Sequence, residues 1–382
     1  AQERLVRGNV LAQCGAAHAR RLEEYLKAVH GVEPCGVVLP IAMPCTSHDE
    51  RCLMMRSADP AALGRTVRAD PLVAKFVQRW YELSEYHATL SRAADSLAAQ
   101  LRSRAAESGA ALPLDVRVQA FPKPLEARLV AALRESGAAL PNPKAELLAC
   151  AAYAVGAIGC ALVSAGSFRV DGGAAQLSPS ESAVSRAFYK MREAAARRNL
   201  DLARCTHAID VGAAPGGWTC CLLDLGCGRV TAVDPAALTL PAAVLSSGRV
   251  EHMRLRVDEA LGVLRGRGAA GRLDCYVCDM NDSPAAAVRT LRGALPLLSP
   301  GSPCVLTFKN TYKKKPQWYA ALEEGLDELR ALGGEDVEVI HLLANTAKET
   351  TVICHLKHTV AQLAEELEVA DGEAGRGNPA RV

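Results

Sequence analysis

The chain has 382 residues, 49% of them hydrophobic and 23% charged, with a formal net charge of +2, a length that accommodates two or three domains with separate cores. Balanced charge excludes a strongly basic tail but leaves room for local basic patches, and an aromatic content of 4% argues against broad base-stacking platforms. Fourteen cysteines, scattered through apolar segments with no secretory leader ahead of them, predict reduced thiols in a cytoplasmic or organelle-matrix protein.

Residues 1–110 predict an α+β lobe. Asn9 to Gln13 reads as a strand, and His18 to Val29 as a helix with Leu22, Tyr25, Leu26 and Val29 on one face. Val37 to Ala42 reads as a strand or a buried loop, and Leu72 to Arg104 as largely helical. Cys35, Cys45, His48 and Cys52 could ligate a metal, but their spacing is not that of a common zinc module. Glu107 to Pro113 reads as a linker.

Over 111–178, Leu114 to Ala120 predicts a strand and Leu125 to Ser136 a helix. Leu147 to Val163 is an unbroken apolar and glycine run, shorter than the roughly 20 residues of a membrane helix. Gly156 near its middle favours two buried strands joined by a turn. The order strand, helix, strand, strand resembles the end of a THUMP domain, a module that binds RNA ahead of RNA-modifying enzymes. The resemblance implies an RNA-docking region here, with a ferredoxin-like lobe upstream.

Residues 179–358 carry the chemistry. A helical stretch from Ser185 contains Lys190, and the β-branched run Ile209-Asp-Val leads into Gly212-Ala-Ala-Pro-Gly-Gly-Trp. Gly212, Gly216 and Gly217 remove three side chains from one turn while Pro215 fixes φ, so a nucleotide-like ligand can approach the backbone closely. A second strand, Arg229 to Val233, ends in Asp234, placed to hold ribose hydroxyls. A third, Val250 to Val257, is expected to end in Asp258, which could accept from an adenine amino group. Carboxylates without a basic residue in the turn argue against a pyrophosphate and suit a neutral or cationic adenosine, and S-adenosylmethionine carries a sulfonium. The Gly-x-x-x-Gly-Gly spacing also departs from the Gly-x-Gly-x-x-Gly of dinucleotide folds.

Asp279 ends a fourth strand begun at Leu273, Lys309 ends a fifth begun at Cys304, and Glu349 enters a last strand, Thr350 to Leu356. In a doubly wound sheet Asp279 and Lys309 face the crevice of the glycine turn, and Glu349 joins them if its strand is antiparallel. Cys275 and Cys278 form a Cys-x-x-Cys within one strand; alternation puts them on opposite faces and argues against a metal or redox pair. No metal is expected at this site.

Taken with the glycine turn and Trp218, the ordered set Lys190, Asp279, Lys309 and Glu349 resembles the Lys-Asp-Lys-Glu tetrad of the FtsJ-type RNA ribose 2′-O-methyltransferases. Within them it most resembles the RlmM-type branch, which methylates a cytidine ribose of large-subunit ribosomal RNA. Leu114 to Lys357 carry the likeness, through Val116-Arg-Val-Gln, Ser185-Arg-Ala-Phe-Tyr-Lys, Cys278-Asp-Met, Lys313 to Lys315 and Lys348-Glu-Thr-Thr-Val. It implies a Rossmann-like α/β sheet, seven-stranded and mostly parallel, preceded by the α+β THUMP-like region. It also implies S-adenosyl-L-methionine bound by Gly212, Ala214, Pro215, Gly216, Gly217, Trp218, Asp234, Asp258 and Asp279.

A ribose hydroxyl attacks a sulfonium methyl only as it loses its proton. A lysine serves as base only if burial and a neighbouring cation lower its pKa. Lys309 is assigned that role, with Lys190 as the depressing neighbour, Asp279 orienting the amine and Glu349 balancing Lys190. Arg186, Arg197, Arg198, Lys313, Lys314 and Lys315 flank the site where a phosphate backbone would pass. Three alternatives remain open: an RNA-binding protein that keeps the fold without catalysis, a nicotinamide-dependent oxidoreductase, and a cap or small-RNA 2′-O-methyltransferase. RNA, ribosomal or its precursor, is the expected partner, with no membrane association. Residues 359–382 are expected to be a short helix and a disordered tail.

Overall fold

The computed structural model describes residues 9–41, 50–154, 156–164 and 186–357. The chain divides into two compact units between Leu177 and Ser178.

The first unit opens with β1 (Val10–Gly15), α1 (Ala19–His30), β2 (Glu33–Ile41), β3 (Glu50–Arg56), α2 (Pro60–Ala69), α3 (Pro71–Phe76) and β4 (Val77–Glu82). The four strands form an antiparallel sheet ordered β2-β3-β1-β4. Helix α1 buries Leu22, Tyr25 and Leu26, three of the four residues expected on its inner face. Cys45 and His48, offered with Cys35 and Cys52 for a metal, lie outside the described residues, and the side chains of Cys35 and Cys52 lie outside the description.

The helical reading of Leu72 to Arg104 is corrected. Helix α3 stops at Phe76; Val77–Glu82 is strand β4 and Glu85–His87 is strand β5 before α4 (Leu90–Ser108) begins. Pairing of Trp80 and Tyr81 with Ala12 and Leu11 of β1 decides this segment, a non-local gain that local periodicity does not report.

Strand β6 (Leu114–Phe121), α5 (Pro124–Glu135), β7 (Ala139–Pro141), β8 (Leu147–Ala154) and β9 (Ala157–Ser164) follow. With β5 they make a sheet ordered β5-β9-β8-β6-β7. Strands β8 and β9 pair antiparallel, from Ala154 against Ala157 to Leu147 against Ser164, so the apolar run is a hairpin. No described helix is long and apolar enough to cross a membrane. The stretch read as a linker begins inside α4, whose Leu97 and Leu101 share a core with Val116, Ala149 and Cys160.

The second unit contains α6 (Arg186–Arg198), β10 (His207–Val211), α7 (Gly217–Asp224), β11 (Arg229–Val233), α8 (Ala242–Ser246), β12 (Val250–Met253), α9 (Val257–Gly266), β13 (Cys275–Cys278), α10 (Pro284–Ala294), β14 (Pro303–Lys309), α11 (Lys315–Ala331), β15 (Gly334–Ile340) and β16 (Glu349–Leu356). Its seven strands are ordered β12-β11-β10-β13-β14-β16-β15. β10 to β14 run parallel, and β16 lies antiparallel between β14 and β15.

Both faces of this sheet are covered, as a mostly parallel sheet requires. Ile209, Val211 and Cys278 pack with α9, α10 and α11 on one face. Ala208, Cys275 and Val277 pack with α6 and α7 on the other. Cys275 and Cys278 therefore do face opposite ways, each buried as a free thiol. Strand order reverses between β10 and β13, which places the ligand crevice of a doubly wound sheet at their carboxyl ends.

The third strand is corrected: β12 ends at Met253, and Asp258 lies in the first turn of α9, exposed. Met253, Leu255 and Val257 alternate towards the core, which imitates a longer strand. The backbone N–H of Arg256 donates to the Glu259 carboxylate at 3.3 Å, and a carboxylate there starts a helix. Residues 359–382, expected as a short helix and a tail, lie outside the described residues.

Candidate active site

The glycine turn joins β10 to α7 directly beside the reversal of strand order. Gly212 and Gly216 both sit in the left-handed region, at φ +75° and +116°. The Gly212 and Ala213 N–H groups donate to the Val233 carbonyl at 2.9 and 3.3 Å. Asp234, at the tip of β11, accepts from Ala214 N at 3.1 Å and from Ala236 N at 2.8 Å. Its carboxylate is thereby fixed against the turn. Trp218 is 2% exposed and packs with Met191 and Cys221 in the core under α7, so its indole lies within the protein rather than on an open pocket wall.

Asp210 was read only as part of a strand, yet it is the buried carboxyl beneath this turn. Its Oδ2 accepts from Thr219 Oγ1 at 2.6 Å while Oδ1 has no partner among the described residues. Burial, reinforced by the charges of Asp279 and Asp234, pushes its pKa up to about 7 against the Thr219 hydrogen bonds. The one sequence signal was an acidic residue inside an apolar run.

The four residues of the tetrad meet. Lys190 arrives from α6, Asp279 follows β13, Lys309 ends β14, and Glu349 stands directly opposite Lys309 in the antiparallel register of β16. Lys190 Nζ donates to Asp279 Oδ2 at 3.0 Å and to Oδ1 at 3.2 Å, and it pairs with Glu349 Oε2 at 3.1 Å. Lys309 Nζ donates to Asp279 Oδ1 at 3.2 Å and to Glu349 Oε1 at 2.7 Å. The result is a closed ring of alternating charge whose side chains are only 7% to 13% exposed. Backbone bonds brace it: Lys309 N donates to the Asp282 carbonyl at 3.0 Å, and Thr346 N to Glu349 Oε2 at 3.0 Å. Glu349 thus supports both lysines, where the sequence assigned it to Lys190 alone.

The expected depression of Lys309 is corrected. Burial pulls its pKa down, but Asp279 and Glu349 more than offset that and hold it above the ordinary lysine value. Lys309 is a cation in this state. For Glu349, burial raises the pKa, but the Lys309 hydrogen bond, the Thr346 N–H and both lysine charges bring it down to about 2. A depressed carboxylate stabilises the fold above its unfolded pKa, and that contribution is lost as pH falls through the folded one. We therefore expect acid unfolding to show the loss between pH 4.5 and about 2. In Glu349→Gln this step is missing, so the gap in thermal midpoint to wild type narrows on acidification; an unchanged gap between neutral pH and pH 2.5 (an illustrative setting, ~2 units below an ordinary carboxylate) contradicts it.

Of the basic residues expected to meet RNA, Lys313, Lys314 and Lys315 are exposed. Arg197 is paired with the buried Glu193 at 2.5 Å, and Arg198 with Glu338 at 2.8 Å. Glu193 also accepts from Leu343 N at 2.8 Å, so Arg197 helps hold α6 to the strand-linking loop. The Arg186 side chain lies outside the description.

The donor set fits S-adenosylmethionine. Asp234, Asp279 and buried Asp210 surround the turn, a lining that favours a cationic ligand, and the two lysines are already neutralised by carboxylates.

Residues 183–300 match the family model of the FtsJ-like methyltransferases. The ribosomal RNA large subunit methyltransferase M of Alkalilimnicola ehrlichii is 33% identical over 183 residues, 45% of this chain and 47% of that protein. The protein of the same name from Halorhodospira halophila is 37% identical over 113 residues, covering 29% and 30%. The chain spans about half, or less, of the length of these curated relatives. Among solved structures, the fibrillarin pre-rRNA processing protein of Methanococcus jannaschii aligns over 42% of this chain and 70% of its own at 12% identity and a TM-score of 0.33. The chain carries, over residues 183–300, an FtsJ-like methyltransferase domain.

Proposed function

We propose that this protein transfers a methyl group from S-adenosylmethionine to a ribose 2′-hydroxyl of RNA, with large-subunit ribosomal RNA as its substrate class. One observation carries the reading: the alternating Lys190–Asp279–Lys309–Glu349 ring stands at the carboxyl ends of β13 and β14, beside the glycine turn after β10. The named relatives, both ribosomal RNA methyltransferases, support the choice of RNA.

When bound, S-adenosylmethionine supplies a methyl group activated by its sulfonium. Gly212, Ala214, Pro215, Gly216 and Gly217 form the floor that meets it, with Asp234 towards the ribose of its adenosine. Exposed Asp258 is kept as a candidate for the adenine edge. Lys309 takes the proton of the attacking hydroxyl. At rest it is charged, so its own proton must first pass to solvent. RNA covering the site deepens the burial that already opposes that charge. Asp279 and Glu349 aim the amine, and Lys190 prevents either carboxylate from being left unpaired. Lys313 to Lys315 meet phosphates, Arg197 and Arg198 acting indirectly by holding α6. Residues 1–110, whose β5 and α4 join the sheet and core of the following strands, are read as a ferredoxin-like lobe, and 111–178 as the THUMP-like region that docks structured RNA.

The decisive assay incubates the reduced protein with ribosomal RNA precursor and methyl-labelled cofactor, then digests the RNA to nucleosides. Label on a 2′-O-methylated nucleoside supports the reading. Label confined to bases, or its absence with cofactor demonstrably bound, overturns it; labelling of capped or small RNA alone overturns only the substrate class.

A further inference from the structure

Strand β5 is a three-residue edge strand, and such a strand is marginal unless something ties it down. Its register sets Glu85 opposite Cys160 of β9 and His87 opposite Ile158. Glu85 and His87 are two apart, so both project from the face that Cys160 shares. The carboxylate, imidazole and thiol ligand atoms lie within 4.8 Å of one another, the one set of three or more such ligand residues found among the described residues. His87 Nε2 is 3.1 Å from Glu85 Oε2. Ser96 of α4 donates to the same oxygen at 2.5 Å, and Gln100 Nε2 donates to Ser96 Oγ at 3.3 Å.

We propose that Glu85, His87 and Cys160 form a site for a zinc-class divalent cation that clips β5 and α4 onto β9. The donor set is what selects the ion: one thiolate, one imidazole and one carboxylate suit Zn²⁺, whose bonds of about 2.0–2.3 Å place tetrahedral donors roughly 3.3–3.8 Å apart. Closing the observed triangle to that size needs only small side-chain movements. Ser96 and Gln100 supply the outer hydrogen bonds that aim a ligating carboxylate. The fourth position opens to solvent, since Glu85 and His87 are 47% and 21% exposed while Cys160 is buried.

On binding, the Cys160 S–H bond breaks, its proton passes to solvent, and the sulfur lone pair forms the metal bond. This site lies in the first unit and takes no part in the proposed methyl transfer.

The test uses the full chain, reduced and stripped of metal, titrated with Co²⁺. We expect a near-ultraviolet sulfur-to-cobalt charge-transfer band that saturates at a single equivalent and is displaced by Zn²⁺. Zn²⁺ also raises the thermal midpoint. Cys160→Ala abolishes the band. Because Cys160 is a core residue, Glu85→Gln and His87→Gln, both reaching the surface, provide the variants least able to disturb folding. Each weakens Co²⁺ binding more than ~10-fold, the least that losing even an outer-shell partner costs. A band unchanged in all three variants, one lost instead on replacing Cys45 and His48, or no band at all, overturns the proposal.

Discussion

Lys309→Ala abolishes methyl transfer, by roughly 10²–10⁴-fold if the amine is the base, while the protein still binds cofactor. The ring tells why binding survives: Asp234 is held by backbone N–H groups, not by Lys309. Removing Lys309 leaves Asp279 and Glu349 facing Lys190 alone, so some stability is lost too, and folding must be checked by the thermal midpoint. Lys309→Arg separates two roles that alanine cannot. Arginine preserves the cation between the carboxylates but does not give up a proton in proteins. If Lys309 acts as base, arginine is as inactive as alanine; if it only stabilises charge, arginine retains much of the rate. The pH profile carries a second reading of the same residue. Asp279 and Glu349 hold the Lys309 pKa above the ordinary lysine value, so the neutral amine is a small fraction at pH 7, growing tenfold per unit. With RNA far below saturation, where the rate reports groups of the free protein, the single-turnover rate should therefore climb with a slope near one from neutral pH into the alkaline range, and Lys309→Arg should flatten it. A wild-type plateau close to neutrality refutes a base of this kind.

The strand-ending residues of the second unit were legible because parallel strands buried on both faces read as short apolar runs. Asp279 and Lys309 each interrupt one at its carboxyl end. Glu349 was legible only on condition of an antiparallel last strand, which the register against Lys309 meets. Two kinds of information were not in the pattern. One is tertiary: β4 exists because Trp80 and Tyr81 pair with β1, and Met253, Leu255 and Val257 continue an alternation past the end of β12 because the following loop also faces the core. The other is electrostatic: spacing says which charges converge but not at what distance. That Glu349 reaches both lysines, at 2.7 and 3.1 Å, decides that Lys309 is held charged rather than neutral.

Gly212→Ala should impair the cofactor site through two effects that reinforce each other. Gly212 has φ +75°, and its N–H is tied to Val233, so the backbone cannot relax freely into a conformation that alanine prefers. The left-handed region alone costs a residue with a Cβ about 1–2 kcal/mol. The added Cβ also lands 2.6 Å from Met280 Cγ and 3.2 Å from Met280 N and Cα. The side chain can swing away, but the backbone of Met280 follows Asp279, so the strain passes directly to the tetrad. We expect cofactor affinity to fall by more than ~10-fold, a loss of over ~1.4 kcal/mol, together with a lower thermal midpoint. Gly248→Ala is the control: its φ is +67°, with nothing within 4 Å of a Cβ. It should show the conformational destabilisation alone, with affinity unchanged. Adding Met280→Ala to Gly212→Ala removes the 2.6 Å contact but neither the backbone contacts nor the positive φ, so it should restore affinity only in part. Calorimetric titration of the three variants with S-adenosylmethionine or its demethylated product separates these contributions. Wild-type affinity in Gly212→Ala means that the turn after β10 does not shape the cofactor pocket.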